Sequence, residues 1–82
     1  MQPKYPVVIV YADDWNQYSG QHDREERKPY RVARGWLTGF LIEEKDEHLA
    51  IAHTCFDCGD VRYVVVVPKC TIIERKDLKM ED

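Results

Sequence analysis

The most reactive side chains of this sequence stand close together in its second half. His53, Cys55 and Cys58 lie within six residues and are followed by Gly59, and the remaining cysteine is Cys70. Two thiolates separated by two residues on a turn, with glycine relieving the backbone, are a common half of a tetrahedral zinc site. His53 or Cys70 would complete it. The chain has no second Cys-x-x-Cys pair, so reduced cysteines on a hairpin are the favoured interpretation and structural zinc is the alternative.

Basic side chains concentrate between the first two apolar runs. The candidates for binding nucleic acid or an acidic partner are Arg24, Arg27, Lys28, Arg31, Arg34 and Trp36. Arg and Lys would contact phosphates, and the indole ring would stack on unpaired bases. Acidic residues at positions 23, 25 and 26 are interleaved with these cations, a pattern that is also typical of a solvated helix face. A solvated face is the favoured interpretation, and a binding face is the alternative.

No set of residues indicates enzyme chemistry. Asp13 and Asp14 follow the first apolar run, where they could ligate a metal, but such a pair more often forms a turn. The sequence has no Ser/His/Asp order, no glycine-rich phosphate loop and no pair of histidines at helical spacing. A redox role for Cys55 and Cys58 would require a following helix N-terminus, whereas another strand follows them. We therefore expect a binding protein rather than an enzyme.

Composition bounds the kind of protein that carries these side chains. A chain of 82 residues makes one domain, and 44% hydrophobic with 33% charged residues is a globular balance. The net charge of −3 argues against a surface that grips nucleic acid everywhere. No apolar run approaches the roughly 20 residues of a membrane helix. Because a signal peptide is not apparent and the cysteine count is odd, we expect a cytoplasmic protein without disulfides or membrane contact.

Alternating and β-branched residues predict five strands, at residues 5–11, 30–43, 48–55, 61–67 and 71–74. A long polar loop at residues 12–31, with a short helix around residues 21–28, separates the first two. Gly35 and Gly39 are expected to let the second strand bend sharply. Pro68 is expected to start a single helical turn at a position that needs no amide donor, and the charged tail at residues 75–82 is expected to fray.

Five strands joined by short turns, with no room for crossover helices, predict an antiparallel sheet that curls into a barrel. The fourth strand is long, apolar and close to the chain terminus, which makes it a hazardous edge for a monomer. Pairing with a strand of a neighbouring copy would cover it. We therefore predict an all-β, five-stranded, strongly bent antiparallel barrel that forms homo-oligomers.

Two stretches resemble the motifs of Sm-like (LSm) proteins. Residues 39–52 hold a glycine, alternating apolar residues, an acidic hairpin loop and an apolar strand, as in the first Sm motif. Residues 64–73 hold a strand, a one-turn break and a closing strand, as in the second. The resemblance implies an Sm-like/SH3-like barrel that forms a ring by pairing strand four with strand five of the next subunit. The implied interface residues are Tyr63, Val64, Val65, Val66, Val67, Thr71, Ile72 and Ile73.

Where RNA-binding members of this family carry base-reading residues, this sequence has His48 after the acidic loop and Lys69 at the second break. Neither reproduces the usual Asn, Arg-Gly or Tyr-Lys-His residues. The chain is also similar to small bacteriophage proteins in its Asp-Asp-Trp patch at residues 13–15, in residues 32–37, in the acidic hairpin and in the valine-rich strand. That likeness implies a phage protein acting in the host cytoplasm.

Together these patterns favour a non-enzymatic Sm-like binding or scaffold protein that assembles as a ring and binds RNA or another nucleic acid. The alternative is a zinc-stabilised or host-directed interaction protein, such as an inhibitor, that binds a protein partner through the charged loop at residues 21–28 and no RNA. No cofactor is expected beyond the zinc considered above.

Overall fold

A computed structural model of the chain describes residues 2–14 and 33–79. These residues form five strands: β1 (Val7–Asp13), β2 (Arg34–Glu44), β3 (His48–Cys55), β4 (Val61–Pro68) and β5 (Ile72–Leu78). A 3-10 turn at Lys69–Thr71 joins β4 to β5. The predicted helix around residues 21–28 lies outside the described residues, as do Arg24, Arg27, Lys28 and Arg31.

The strands form one antiparallel sheet in the order β4-β3-β2-β1-β5. The predicted all-β, antiparallel architecture is therefore confirmed, and so is the helical turn after Pro68. Within residues 2–14 and 33–79, the outer edges of β4 and β5 pair with no strand, so these two strands form the borders of the sheet. The described part of the chain contains no helix that could cross a membrane.

The fifth strand differs from the prediction. It runs to Leu78, whereas we expected it to end at Glu74 and the charged residues after it to fray. Residues 74–78 instead pair with β1, from Tyr11↔Glu74 to Val7↔Leu78. Charged side chains are common in strands at the border of a sheet, so their presence did not exclude a strand.

The long β2 pairs with two different strands along its length. Its first part pairs with β1 and its last part with β3, and Phe40 pairs with both. A Cβ atom on Gly39 would lie 2.6 Å from the Ala52 carbonyl oxygen, so only glycine fits this close approach. Gly35 has no heavy atom within 4 Å of the same position. Close packing of the strands therefore requires a glycine at Gly39 but not at Gly35.

The core lies on the concave face of the sheet. Alternate residues of β1 point into it, and β3 and β4 supply the other fully buried side chains. The core cluster consists of Val8, Val10, Ala12, Leu49, Ile51 and Val67, with Leu37, Leu41, Val65 and Ile72 packed against it.

An ion pair between β2 and β5 indicates that the sheet is curved. Val10 pairs with Leu37 on one side and with Arg75 on the other, so these residues share one level of the sheet. Glu44 lies seven residues beyond Leu37, which is about 23 Å along a straight strand. Arg75 nevertheless donates to the Glu44 carboxylate at 3.0 and 3.1 Å. The end of β2 must therefore turn back across the core towards β5.

Candidate functional site

The free edge of β4 exposes apolar side chains. Tyr63 is 78% exposed, Val64 46% and Val66 53%, and all three belong to the predicted interface. Val65 and Val67 point to the concave face, where Val67 is fully buried in the core. Alternation thus divides the valine run into a core-facing half and an outward-facing half.

The hydrogen-bond pattern determines which β4 amides face β3. The Lys69 N–H donates to the Glu47 carbonyl at 2.8 Å, in register with the pairing between β3 and β4. Amide directions alternate along a strand, so the N–H groups of Val67 and Val65 also point at β3.

The β4 residues that alternate with Val65 and Val67 direct their backbone groups away from β3. The N–H groups of Val66 and Val64 point to the free edge, and Pro68, which has no N–H, occupies the next outward position. This is the placement predicted for Pro68, where no ladder donor is needed. The free edge therefore combines two outward valine amides with the exposed side chains of the same residues.

The outer edge of β5 has a different character. The Leu41 N–H donates to the Pro6 carbonyl at 2.8 Å, which places every second residue of β1 against β2 and the others against β5. The β5 amides at positions 74, 76 and 78 accordingly face β1, whereas those of Arg75 and Asp77 point outward. Ile73 lies at a register shift and is half exposed. Of the predicted interface residues here, Ile72 is only partly exposed and pairs with Ala12.

Thr71, the remaining predicted interface residue, lies in the 3-10 turn. Its hydroxyl donates to the Pro68 carbonyl at 2.7 Å. This hydrogen bond closes the turn between the two edge strands, so the side chain acts within the chain and is only partly exposed.

A network of charged residues lies where β2, the 3-10 turn and β5 meet. Glu44 accepts from Arg75 and also pairs with Lys69 at 2.9 Å, and Arg75 pairs with Asp77 at 2.8 Å. The hydrogen bonds from Arg75, followed by the one from Lys69, lower the pKa of Glu44 to about 2. The same two carboxylates, led by Glu44, raise the pKa of Arg75. The network therefore stays charged over the whole neutral range.

His48 and Lys69, the two basic residues placed by the Sm resemblance, both lie beside this network. His48 donates from Nε2 to Glu43 at 3.2 Å, and that hydrogen bond is the main cause of the lowered pKa of Glu43. A cavity of about 500 Å³ adjoins them, and its lining also includes Asp46 and Glu47. Two acidic side chains in the lining and a carboxylate partner for each basic side chain make this cavity a poor binding site for phosphate.

Arg34 and Trp36 lie at the other end of β2. Trp36 pairs across strands with Tyr11, and their ring centroids are 4.9 Å apart. The indole is 57% exposed, and a cavity of about 300 Å³ lies beside it, with Arg34 and Asp14 in its lining. Arg34 pairs with Asp13 at 2.9 Å. The two rings form an aromatic platform, and Arg34, which lies beside it, already has a carboxylate partner.

An apolar cleft that the sequence did not indicate lies on the concave face beyond the core. It has a volume of about 390 Å³ and is lined by Leu37, Thr38, Ile51, His53, Tyr63 and Val65. Tyr63 has a φ of 57°, which is rare for a bulky residue, and its ring meets His53 edge-on at 5.8 Å. No sequence signal marks a left-handed tyrosine within a strand.

The cysteines are not gathered into one site. Cys55 ends β3 and Cys58 lies in the turn that follows, whereas Cys70 lies beyond the opposite end of β4. The eight residues of β4 separate them, about 26 Å of extended chain. Among the described residues, no three His, Cys, Asp or Glu side chains are grouped to hold a metal. Cys70 therefore lies too far from Cys55 and Cys58 to share a metal ion with them in one chain.

Comparison of the chain with protein-family models, with curated proteins and with solved structures finds no match.

Proposed function

We propose that this protein is a non-enzymatic binding protein that assembles with copies of itself by pairing the free edge of β4 with the free edge of β5 of a neighbour. The observation that carries the proposal is the β4 edge, where Val64 and Val66 combine outward amides with exposed apolar side chains. A long edge of this kind, which no strand of residues 2–14 and 33–79 covers, tends to associate with other strands.

The β5 edge suits this role because its outward amides, those of Arg75 and Asp77, have the same two-residue spacing as those of β4. A strand can therefore form a regular ladder with it. Since the two edges belong to different strands, the contact is heterologous, and repeated contacts close into a ring when the rotation between copies permits. The resemblance to Sm-like proteins supports the same pairing and a barrel-like closure of the sheet.

Nucleic acid is the ligand that we propose for the assembled protein. The support is the Trp36–Tyr11 platform, because stacking on exposed aromatic rings is how single-stranded nucleic acids bind without base-specific hydrogen bonds. Repetition of a weak site around a ring would raise the overall affinity without a strongly basic subunit.

A protein partner is the alternative ligand, and a separate observation favours it. The described residues predicted to contact phosphate, Arg34, His48 and Lys69, each pair with a carboxylate of the same chain. Breaking these pairs would oppose nucleic-acid binding but not the docking of a polar protein surface.

Light scattering on a sizing column, with absorbance at two wavelengths, tests the assembly and the ligand together. We expect a discrete oligomer that carries nucleic acid from the expression host. An oligomer free of nucleic acid would favour the protein partner, and a monomer at all concentrations would contradict the assembly.

A further inference from the structure

The turn that joins β3 to β4 has the backbone geometry of half a metal site. The Phe56 N–H donates to the Asp60 carbonyl at 2.8 Å, and the Gly59 N–H donates to the Phe56 carbonyl at 2.9 Å. Gly59 has a φ of 98°, in the left-handed region that favours glycine. This is a three-residue hairpin loop closed by a left-handed glycine. Its hydrogen bonds fix the backbone that carries Cys55 and Cys58.

Both thiols are available to a ligand. Neither cysteine forms a disulfide, Cys58 is exposed and Cys55 is partly exposed. The only hydrogen bond of the Cys55 thiol within the described residues is a weak one to the Phe56 carbonyl, at 3.8 Å. Two thiols held two residues apart on a rigid turn match the ligand spacing of structural zinc sites.

The described residues of one chain do not complete such a site. His53 is not grouped with the two cysteines: its Nδ1 lies 2.8 Å from the Thr54 hydroxyl, and its ring packs against Tyr63. Cys70 lies beyond the far end of β4, and no third donor is grouped with Cys55 and Cys58 among residues 2–14 and 33–79. Structural zinc takes four protein ligands, so one turn supplies half of them.

We propose that two copies of this chain bind one Zn²⁺ between them, each supplying Cys55 and Cys58. Four S–Zn bonds form, and each thiol that is protonated releases its proton to the solvent. This site goes beyond the edge pairing of β4 and β5, because it lies at the tip of the hairpin and requires neither edge.

The surface of the turn is suited to contact with a second copy. Asp57 and Asp60 lie in the turn, and two cations lie close to it: Arg62 is 5.2 Å from the Phe56 ring centre, and the Lys4 ammonium lies 3.0 Å from where a Gly59 Cβ would be. These four charges sum to zero, so two copies approach without strong repulsion. Phe56 is 44% exposed and would be covered in the contact.

Metal titration of the full-length protein tests the site, with Co²⁺ as a coloured substitute for Zn²⁺. We expect saturation at one metal ion per two chains, absorption bands of a tetrahedral four-thiolate site, and a larger molar mass that a chelator reverses. Zn²⁺ should displace the Co²⁺ and retain the larger mass.

Two matched variants complete the test. Cys58→Ser should lose the bands and the metal-dependent change in mass, whereas Cys70→Ser, an equally exposed cysteine far from the turn, should keep both. Circular dichroism of each variant checks that the sheet is intact. Saturation at one ion per chain without a change in mass, equal losses in the two variants, or absence of thiolate bands in the parent protein would overturn the proposal. Val66→Pro removes an outward amide of β4 and leaves the turn unchanged. The metal response should therefore persist in that variant even if edge pairing is lost.

Discussion

The guanidinium of Arg75 on β5 donates two hydrogen bonds to the carboxylate of Glu44 at the end of β2, 31 positions earlier in the chain. Both residues lie on the concave face, since Arg75 pairs with Val10 and Glu44 pairs with Leu49, and both of these partners are buried. Lys69 of the 3-10 turn joins the same carboxylate. The Glu44 side chain thus connects the end of β2 with the 3-10 turn and with β5.

Replacement of Glu44 tests this connection through its pH dependence. The pKa of Glu44 is lowered from 4.5 to about 2 by Arg75 and Lys69, so the folded state favours the ionised form. Its contribution to stability should be complete above about pH 5 and should disappear as the pH falls from 4.5 towards 2. We expect Glu44→Gln to be less stable than the parent at neutral pH, and we expect the two stabilities to converge near pH 2. Urea unfolding at several pH values measures the difference.

Glu47→Gln provides the matched control, because the Glu47 side chain forms no ion pair with a described residue although it lies only three positions away. Its stability should follow that of the parent at each pH. A Glu44→Gln deficit that persists unchanged at pH 2 would show that lost packing, and not the ionised carboxylate, is responsible.

A second prediction follows from the close approach of Gly39 to β3. Gly39→Ala should destabilise the protein by about 1–3 kcal/mol, because the new Cβ would lie 2.6 Å from the Ala52 carbonyl oxygen and the strands would have to separate. Gly35→Ala should change stability by less than about 0.5 kcal/mol, since that position is open. Equal urea midpoints for the two variants would show that β2 does not need glycine where it pairs with β3.

The aromatic platform makes a third prediction. Trp36→Ala should weaken binding of a fluorescent single-stranded RNA by about 1–3 kcal/mol, roughly 5- to 150-fold in Kd, because the exposed stacking surface is lost. Phe56→Ala removes an exposed aromatic ring at the tip of the β3–β4 turn and should leave Kd unchanged. Affinity should also fall steeply as salt is raised. Fluorescence anisotropy measures both effects, and binding that responds to neither would support the protein-partner alternative.

The bounds of β3 could be predicted because strong local signals flank it. The polar residues 44–47 precede it, and the turn residues 56–60 follow it. The helical turn after Pro68 was predictable for the same reason, since proline restricts the backbone locally. Each of these features depends on residues that are neighbours in the sequence.

The end of β5 and the aromatic platform were not predictable in this way. Arg75 looks like part of a charged tail until Glu44, distant in the sequence, is known to meet it. Trp36 and Tyr11 become neighbours through the register of β1 against β2, which the long connection between these strands does not determine. Both features are created by long-range pairing.

The molar mass of Val66→Pro tests the central claim most directly. Proline removes an amide that points to the free edge of β4 and leaves the hydrogen bonds between β3 and β4 in place, whereas Val66→Thr keeps the amide and the β-branched shape. With light scattering in metal-free buffer, we expect the parent and Val66→Thr to be oligomers of equal mass and Val66→Pro to be a folded monomer. An oligomer of unchanged mass in Val66→Pro would contradict assembly through the β4 edge.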